Sequence, residues 1–106
     1  MKVFISQGMR DKTDEEIKAE REEALKKVND TFIEDMEEIK SFFEGEPEVK
    51  TVPLFFLGES IRLLSDADII VFCKGYENYR GCKIEELCAN EYVIPRMYML
   101  EVIIWK

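Results

Sequence analysis

The chain has 106 residues, of which 46% are hydrophobic and 36% are charged, a composition typical of one soluble globular domain over residues 1–106. It contains no histidine, which excludes a histidine general base, a Ser-His-Asp or Cys-His nucleophile pair, and a zinc site with a histidine ligand. Its net charge of −8, from 23 acidic and 15 basic residues, excludes long-range attraction to duplex nucleic acid or to an anionic membrane.

The first half of the chain predicts a strand, a long helix and a short second strand. Lys2–Ser6 is an apolar run with β-branched residues, which is typical of a strand. Thr13 and Glu16 form a capping box, which predicts an amphipathic helix from about residue 13 to about residue 29. The segment after this helix allows either a continued helix or a short strand near Glu37–Ser41. We favour the strand, because a parallel sheet needs one there.

The second half of the chain predicts two more helices and further strands. A helix is expected from Pro53 to about Ser65, and one of its faces carries Leu54, Leu57, Ile61 and Leu64. Asp68–Cys73 is continuously apolar after its first residue, which predicts a central strand buried on both faces. A third helix is expected from Gly81 to about Val93, and one or two last strands within Met97–Trp105. This alternation predicts an α/β fold with an open parallel sheet.

The charge is unevenly distributed along the chain. Residues 11–50 contain 15 acidic and 7 basic residues, and the remainder contains 8 of each. We interpret the acidic face of the first helix as a solvated surface. A small anionic ligand is still compatible with the neutral remainder, through backbone N–H groups or a single arginine.

The three cysteines, Cys73, Cys82 and Cys88, are odd in number and form no C-x-x-C pair. A disulfide framework or a zinc knuckle is therefore improbable, and we expect reduced thiols, a cytoplasmic location and no metal site. The N-terminus has no charged-then-apolar leader, and no apolar run approaches the length of a membrane span. We accordingly predict neither secretion nor membrane insertion.

Ligands of open parallel sheets bind outside the carboxyl ends of the strands, next to the topological switch point. Two loops are expected there, Ser6–Arg10 and Gly75–Gly81, and both mix glycine with polar groups. Glu85 lies one turn into the third helix, so its carboxylate can project back toward this crevice. From spacing alone, however, the pattern of Glu85 and Glu86 favours an acidic pair that stabilises the first turn of a helix.

The other candidates have similar alternatives. Tyr76 and Tyr79 are either loop packing or platforms for a base, and Arg10 is either a solvated charge or a phosphate ligand. Ser6 and Gln7 are either ligand-binding or partners for strand-end backbone groups. Cys82, near a helix N-terminus, has the position of a thiol with a lowered pKa, but no histidine is present to support a nucleophilic role.

Three segments resemble the nucleoside 2-deoxyribosyltransferase superfamily, in particular its short bacterial and phage members. They are Val3–Gln7, Leu64–Ile70 and Gly75–Glu85. The resemblance covers nearly the whole chain, and its most specific part is the Gly-Cys-x-Ile-Glu pattern that follows a Gly-aromatic-Glu loop. It implies a flavodoxin-like α/β fold, with an open parallel sheet of four or five strands flanked by helices.

The same resemblance implies an activity, namely cleavage or transfer at the N-glycosidic bond of a 2′-deoxynucleoside or its 5′-monophosphate. The glutamate that attacks C1′ in this family matches Glu85. We predict no cofactor, and the resemblance implies assembly as a homodimer or a higher homo-oligomer. We favour Glu77 as the donor of a proton to the leaving base, with Glu86 and Tyr79 as alternatives. The predicted substrate-binding residues are Ser6, Gln7, Gly8, Arg10, Ser60, Tyr76, Tyr79 and Gly81.

Two positions depart from the pattern of the family. Ser60 and Tyr79 stand where the transferases carry aspartates, and the aspartate that Tyr79 replaces is implicated in proton transfer to the base. This departure keeps a second hypothesis open, a nucleotide-binding module without turnover. A third hypothesis is a structural or interaction protein that uses its acidic helix.

Overall fold

A computed structural model describes residues 1–41, 43 and 45–99. It contains four strands and three α-helices, and a short 3₁₀ turn at Tyr76–Asn78 precedes the third helix. In chain order the elements are β1 (Lys2–Ser6), α1 (Asp14–Thr31), β2 (Glu37–Glu38), α2 (Val52–Leu64), β3 (Ile69–Phe72), α3 (Arg80–Tyr92) and β4 (Arg96–Tyr98).

The strands form one parallel sheet in the order β2-β1-β3-β4. Val3 of β1 pairs with Ile69 of β3, and Ser6 pairs with Phe72, so β1 runs beside β3 over the full length of β3. This order corresponds to the first four strands of the flavodoxin-like arrangement 2-1-3-4-5. The predicted α/β open parallel sheet is therefore confirmed, and so is the central position of β3.

Helices cover both faces of the sheet, and the side chains of β1 and β3 alternate between two apolar clusters. On one face, Val3 and Ile5 pack with Ile69 and Val71 against α1. On the other face, the cluster contains Phe4, Ile70, Phe72, Leu64 and Ala89, the last two from α2 and α3. Because Phe4 faces α2 and α3, Ser6 two residues later faces the same side.

The capping box of α1 is confirmed in both directions. The backbone N–H of Glu16 donates to the Thr13 hydroxyl at 3.1 Å, and the Glu16 carboxylate accepts from the Thr13 N–H at 3.0 Å. The predicted second strand exists but is shorter than expected, since only Glu37 and Glu38 pair with β1. The last predicted strand is confirmed as β4, and residues 100–106 lie outside the described residues.

The apolar stripe of α2 is less buried than its pattern suggests. Leu64 is 3% exposed, whereas Leu54 is 62% and Ile61 is 38% exposed. On the neighbouring helix α3, Leu87 is also 56% exposed. The described part of the chain thus leaves much of this face uncovered. None of the described helices has the length and apolar character that crossing a membrane requires.

Candidate functional site

A cleft of about 620 Å³ opens next to the carboxyl end of β1, a volume within the usual range of small-molecule sites. After β1 the chain passes to β2 at one edge of the sheet, and after β3 it passes to β4 at the other edge. The boundary between β1 and β3 is therefore the topological switch point. The first loop, the start of α3 and one side of α2 line the cleft. Its polar and charged lining residues are Gln7, Arg10, Ser41, Thr51, Ser60, Tyr79, Arg80 and Glu85.

Glu85 lies in the wall of this cleft and is only 6% exposed. The hydroxyl of Ser6, which is 1% exposed, donates to the Glu85 carboxylate at 2.6 Å. Ser6 reaches it because its side chain points to the α2 and α3 face of the sheet, and α3 places Glu85 on its buried side. The predicted nucleophile and the last residue of β1 are thus in direct contact.

Burial raises the pKa of Glu85 to about 7, because removal from water disfavours the charged carboxylate. The hydrogen bond from Ser6 and the positive charge of Arg21 oppose this shift. At neutral pH, Glu85 is therefore divided between its ionised and protonated forms. A carboxylate poised in this way suits a catalytic base or nucleophile that operates near pH 7.

Tyr79 joins the two predicted loops. Its ring lies against the backbone of Gly8 so closely that a methyl group at Gly8 would overlap the ring atoms. The Tyr79 hydroxyl donates to the backbone carbonyl of Arg10 at 3.3 Å. The guanidinium of Arg10 and the ammonium of Lys12 lie 5.7 Å and 5.5 Å from the ring centroid, within the range of cation–π attraction. The structure thus brings Gly8, Arg10 and Tyr79 together at the mouth of the cleft.

Ser60 and Gly81, two more of the predicted substrate-binding residues, also line the cleft. Ser60 lines the cleft from α2, and Gly81 lines it from the first turn of α3. A methyl group at Gly81 would lie 3.9 Å from the Leu57 side chain, so the two helices are close at this point. Arg80 precedes Gly81 and adds a second arginine to the lining.

Gln7 lines the cleft, but its side chain is engaged with α1. Its Nε2 donates to the backbone carbonyl of Ile17 at 2.9 Å and to the Glu20 carboxylate at 2.8 Å, and its Oε1 accepts from Arg21 at 3.2 Å. Both amide hydrogens are therefore satisfied within the protein. Gln7 thus joins the loop after β1 to α1, and the partners of its side chain are not the strand-end backbone groups that the sequence suggested.

Tyr76 and Glu77 do not line the cleft. The Tyr76 ring packs against Phe72 and Tyr98, with centroid distances of 5.0 Å and 5.4 Å. The hydroxyls of Tyr76 and Tyr98 both donate to Glu86, at 2.8 Å and 2.7 Å. Glu77 is exposed in the 3₁₀ turn. These positions do not support the predicted roles of Tyr76 over the base and of Glu77 as proton donor, and Glu86 is engaged elsewhere.

Cys73 and Cys82 supply no activated thiol. Cys82 is buried, and burial raises its pKa to about 11 instead of lowering it. Cys73 is also buried, with a pKa raised to about 12 for the same reason. All three cysteines are free. Among the described residues, no group of three or more Cys, Asp or Glu side chains is placed to hold a metal ion.

Sequence reasoning missed Arg21 and Ser41. Ile17, Ala24 and Val28 form the buried face of α1. Arg21 falls on the same face by its helical spacing, so a charge interrupts this apolar stripe. That interruption was a detectable signal. Ser41 is 6% exposed and lines the cleft beyond β2, where the sequence carries no distinguishing pattern.

Comparison of the chain with known protein families, with characterised proteins and with solved structures found no match.

Proposed function

We propose that this protein cleaves or transfers the N-glycosidic bond of a 2′-deoxynucleoside or its 5′-monophosphate, with Glu85 as the nucleophile. The observation that carries the proposal is the buried Glu85 carboxylate, held by Ser6 in the wall of the cleft at the switch point. The segment resemblance at Gly75–Glu85 supports the choice of bond and of sugar.

In the proposed reaction, an oxygen of the ionised Glu85 attacks C1′ of the sugar. The C1′–N bond breaks, its electron pair leaves with the base, and a glycosyl ester of Glu85 forms. Water or a second base then attacks C1′, the ester bond breaks, and the carboxylate is restored. The proton lost by the attacking water or base nitrogen balances the proton taken up by the leaving base. With water, the products are the free base and 2-deoxyribose or its 5-phosphate. With a second base, the products are the first base and a new 2′-deoxynucleoside or its 5′-monophosphate.

The leaving base needs a hydrogen-bond donor, and Tyr79 is the candidate that the cleft supports. Of the three residues considered for this role, Tyr79 lines the cleft, whereas Glu77 and Glu86 do not. The Tyr79 phenol can donate to a base nitrogen in place of its present contact with the Arg10 carbonyl. Its ring, packed on Gly8, also presents an aromatic surface to the ligand.

Two arginines suit the anionic end of a nucleotide. Arg10 and Arg80 both line the cleft, from the first loop and from the start of α3. A guanidinium binds a phosphate with paired hydrogen bonds, and the N–H groups at the start of a helix favour an anion as well. Ser60 adds a hydroxyl for a sugar oxygen.

The test is release of free base from a panel of the common 2′-deoxynucleosides and their 5′-monophosphates, followed by chromatography. The wild type is expected to release base, and Glu85→Gln to release none. Glu91→Gln is the matched control, since Glu91 is an exposed residue of the same helix that does not line the cleft. The proposal fails if the wild type releases no base from any member of the panel.

A second candidate is a nucleotide-binding module without turnover. The observation that favours it is that Glu85 is the only acidic residue among the described lining residues, whereas glycoside cleavage commonly uses two carboxylates. Thermal-shift screening separates the two candidates. A nucleotide that stabilises the fold and survives intact supports binding alone, whereas a nucleotide that is consumed supports catalysis.

We also propose that the chain self-associates through α2. Phe55 and Ile61, which do not line the cleft, are 41% and 38% exposed on this helix. The two charges of α2 are Glu59 and Arg62, which pair at 3.2 Å, so the face is neutral and self-complementary in charge. A second copy covers such a face without the repulsion that the acidic segment 11–50 would cause.

The three free thiols further support a reducing, cytoplasmic location.

A further inference from the structure

Arg21 is a largely buried cation that the proposed reaction does not use. It belongs to α1, on the opposite face of the sheet from Glu85, and its side chain is 11% exposed. Its charge is balanced by Glu38 of β2, whose carboxylate accepts from the Arg21 Nε at 2.9 Å. A partly buried ion pair of this kind is weak support for stability by itself.

The remaining donors of Arg21 point to two separate wall segments of the cleft. Nη1 donates to Gln7 Oε1 at 3.2 Å, and Nη2 donates to the Ser41 hydroxyl at 3.0 Å. Gln7 follows β1 and Ser41 follows β2, and both residues line the cleft. The planar guanidinium of Arg21 thus connects the segments that follow two neighbouring strands, from the α1 side of the sheet.

We infer that Arg21 is a positioning residue of the cleft, which fixes the Gln7 and Ser41 segments in the arrangement that receives the ligand. The inference rests on the proposed function, because it assigns the ligand to this cleft. Gln7 follows Ser6 directly, so the fixed wall is the one beside the Glu85 carboxylate. The positive charge of Arg21 also favours the ionised form of Glu85.

A lysine cannot replace this arrangement. The ammonium group is a single point with freely rotating donors, whereas the guanidinium holds three donor nitrogens in fixed directions toward three different acceptors. Arg21→Lys therefore keeps the charge and loses the fork. Arg21→Gln loses both, and the two variants separate positioning from electrostatics. Lys18→Gln removes a charge from an exposed position of the same helix and is the matched control.

The test compares KM and kcat of the wild type, Arg21→Lys, Arg21→Gln and Lys18→Gln, with the 2′-deoxynucleoside or 5′-monophosphate that the wild type turns over best. We expect Arg21→Lys to raise KM about tenfold with kcat nearly unchanged, since it loses hydrogen bonds to the wall and keeps the charge. Arg21→Gln should raise KM similarly and also lower kcat at neutral pH. Lys18→Gln should match the wild type. A merely structural role would reduce the active fraction, which lowers apparent kcat and leaves KM unchanged.

Failure of this inference and failure of the proposed function are distinguishable. A wild type without turnover overturns the proposed function, and the same prediction is then measured as Kd by calorimetry with the nucleotide that stabilises the fold. Arg21→Lys with the KM or Kd of the wild type overturns the inference, and so does the absence of nucleotide binding by the wild type. An unchanged amide spectrum at Gln7 and Ser41 in Arg21→Lys also overturns it, whatever the activity.

Discussion

Ser6 and Glu85 are 79 positions apart in the chain, and the hydroxyl of the first donates a 2.6 Å hydrogen bond to the carboxylate of the second. Both side chains are buried, at 1% and 6% exposure. This contact joins the end of a central strand to the first turns of α3. It holds a carboxylate beside the cleft and moderates the pKa that burial raises.

Ser6→Ala is expected to raise the pKa of Glu85 further, because the hydroxyl that stabilises the ionised carboxylate is removed. The acidic limb of kcat/KM, expected near pH 7 in the wild type, should move to higher pH. At pH 7 we expect a loss of about tenfold, the size of one charge-assisted hydrogen bond. Ser65→Ala is the control, since the exposed Ser65 hydroxyl only donates to the Arg62 carbonyl at the end of α2. An acidic limb unchanged in Ser6→Ala would contradict the role of this contact.

The stability of the fold should depend on the ionisation of Glu85. Its pKa rises from 4.5 in the unfolded chain to about 7 in the folded protein, so the folded state binds the proton more tightly. The stabilisation from the protonated form is fully present below pH 4.5 and is lost as the pH rises through 7. This difference in pKa changes the free energy of unfolding by at most about 3 kcal/mol between low and high pH.

Glu85→Gln removes this dependence. We therefore expect it to raise the free energy of unfolding relative to the wild type at pH 8 and to have little effect at pH 4.5, as measured by urea denaturation. Equal effects of the substitution at the two pH values would show that Glu85 is not a buried, titrating carboxylate.

Gly8→Ala should displace the Tyr79 ring, because the added methyl group would occupy the position of the ring atoms. We expect a cost of about 1–3 kcal/mol from overpacking, with a loss of ligand binding if Tyr79 contacts the base. Gly58→Ala is the matched control, because Gly58 lies within α2 and an added methyl group there has no other atom within 4 Å. The control should be neutral or slightly stabilising, by about 0.5–1 kcal/mol. Denaturation and nucleotide titration of both variants measure the difference.

Ile61→Asp should abolish self-association through α2, because it places a charge in the exposed apolar stripe. Ile33→Asp makes the same chemical change at a fully exposed isoleucine outside the helices and is the control. Analytical ultracentrifugation should show the wild type and Ile33→Asp as oligomers and Ile61→Asp as a monomer. A monomeric wild type, or an oligomeric Ile61→Asp, would contradict the proposed interface.

The fold was predictable from local patterns. The capping box at Thr13 located the start of α1, because it supplies partners for the free N–H groups of a helix. The apolar run after Asp68 located β3 as a central strand, because it is short and rich in β-branched residues. The length of β2 was not predictable, since Glu37 and Glu38 pair at the sheet edge and carry no strand pattern. The apolar stripe of α2 predicted a helix correctly, but periodicity does not reveal whether this chain or another copy covers the stripe.

The candidate site was predictable in part. The carboxyl ends of the strands pointed to Gly8 and Glu85, which line the cleft, and to Ser6, which contacts Glu85, because topology fixes that edge of the sheet. Tyr76 and Glu77 could not be assigned, since the direction of a loop side chain depends on contacts distant in sequence. The role of Arg21 could not be predicted, although its charge interrupts the buried stripe of α1. Its contacts with Gln7 and Ser41, which connect it to the cleft, depend on the tertiary fold.

The most direct measurement of the central claim is mass spectrometry of the protein quenched during turnover of a 2′-deoxynucleoside or its 5′-monophosphate, followed by digestion. A deoxyribosyl ester on the peptide that contains Glu85, absent from Glu85→Gln, is the result we predict. Release of free base by Glu85→Gln at the wild-type rate, with no adduct on Glu85 in the wild type, would contradict it.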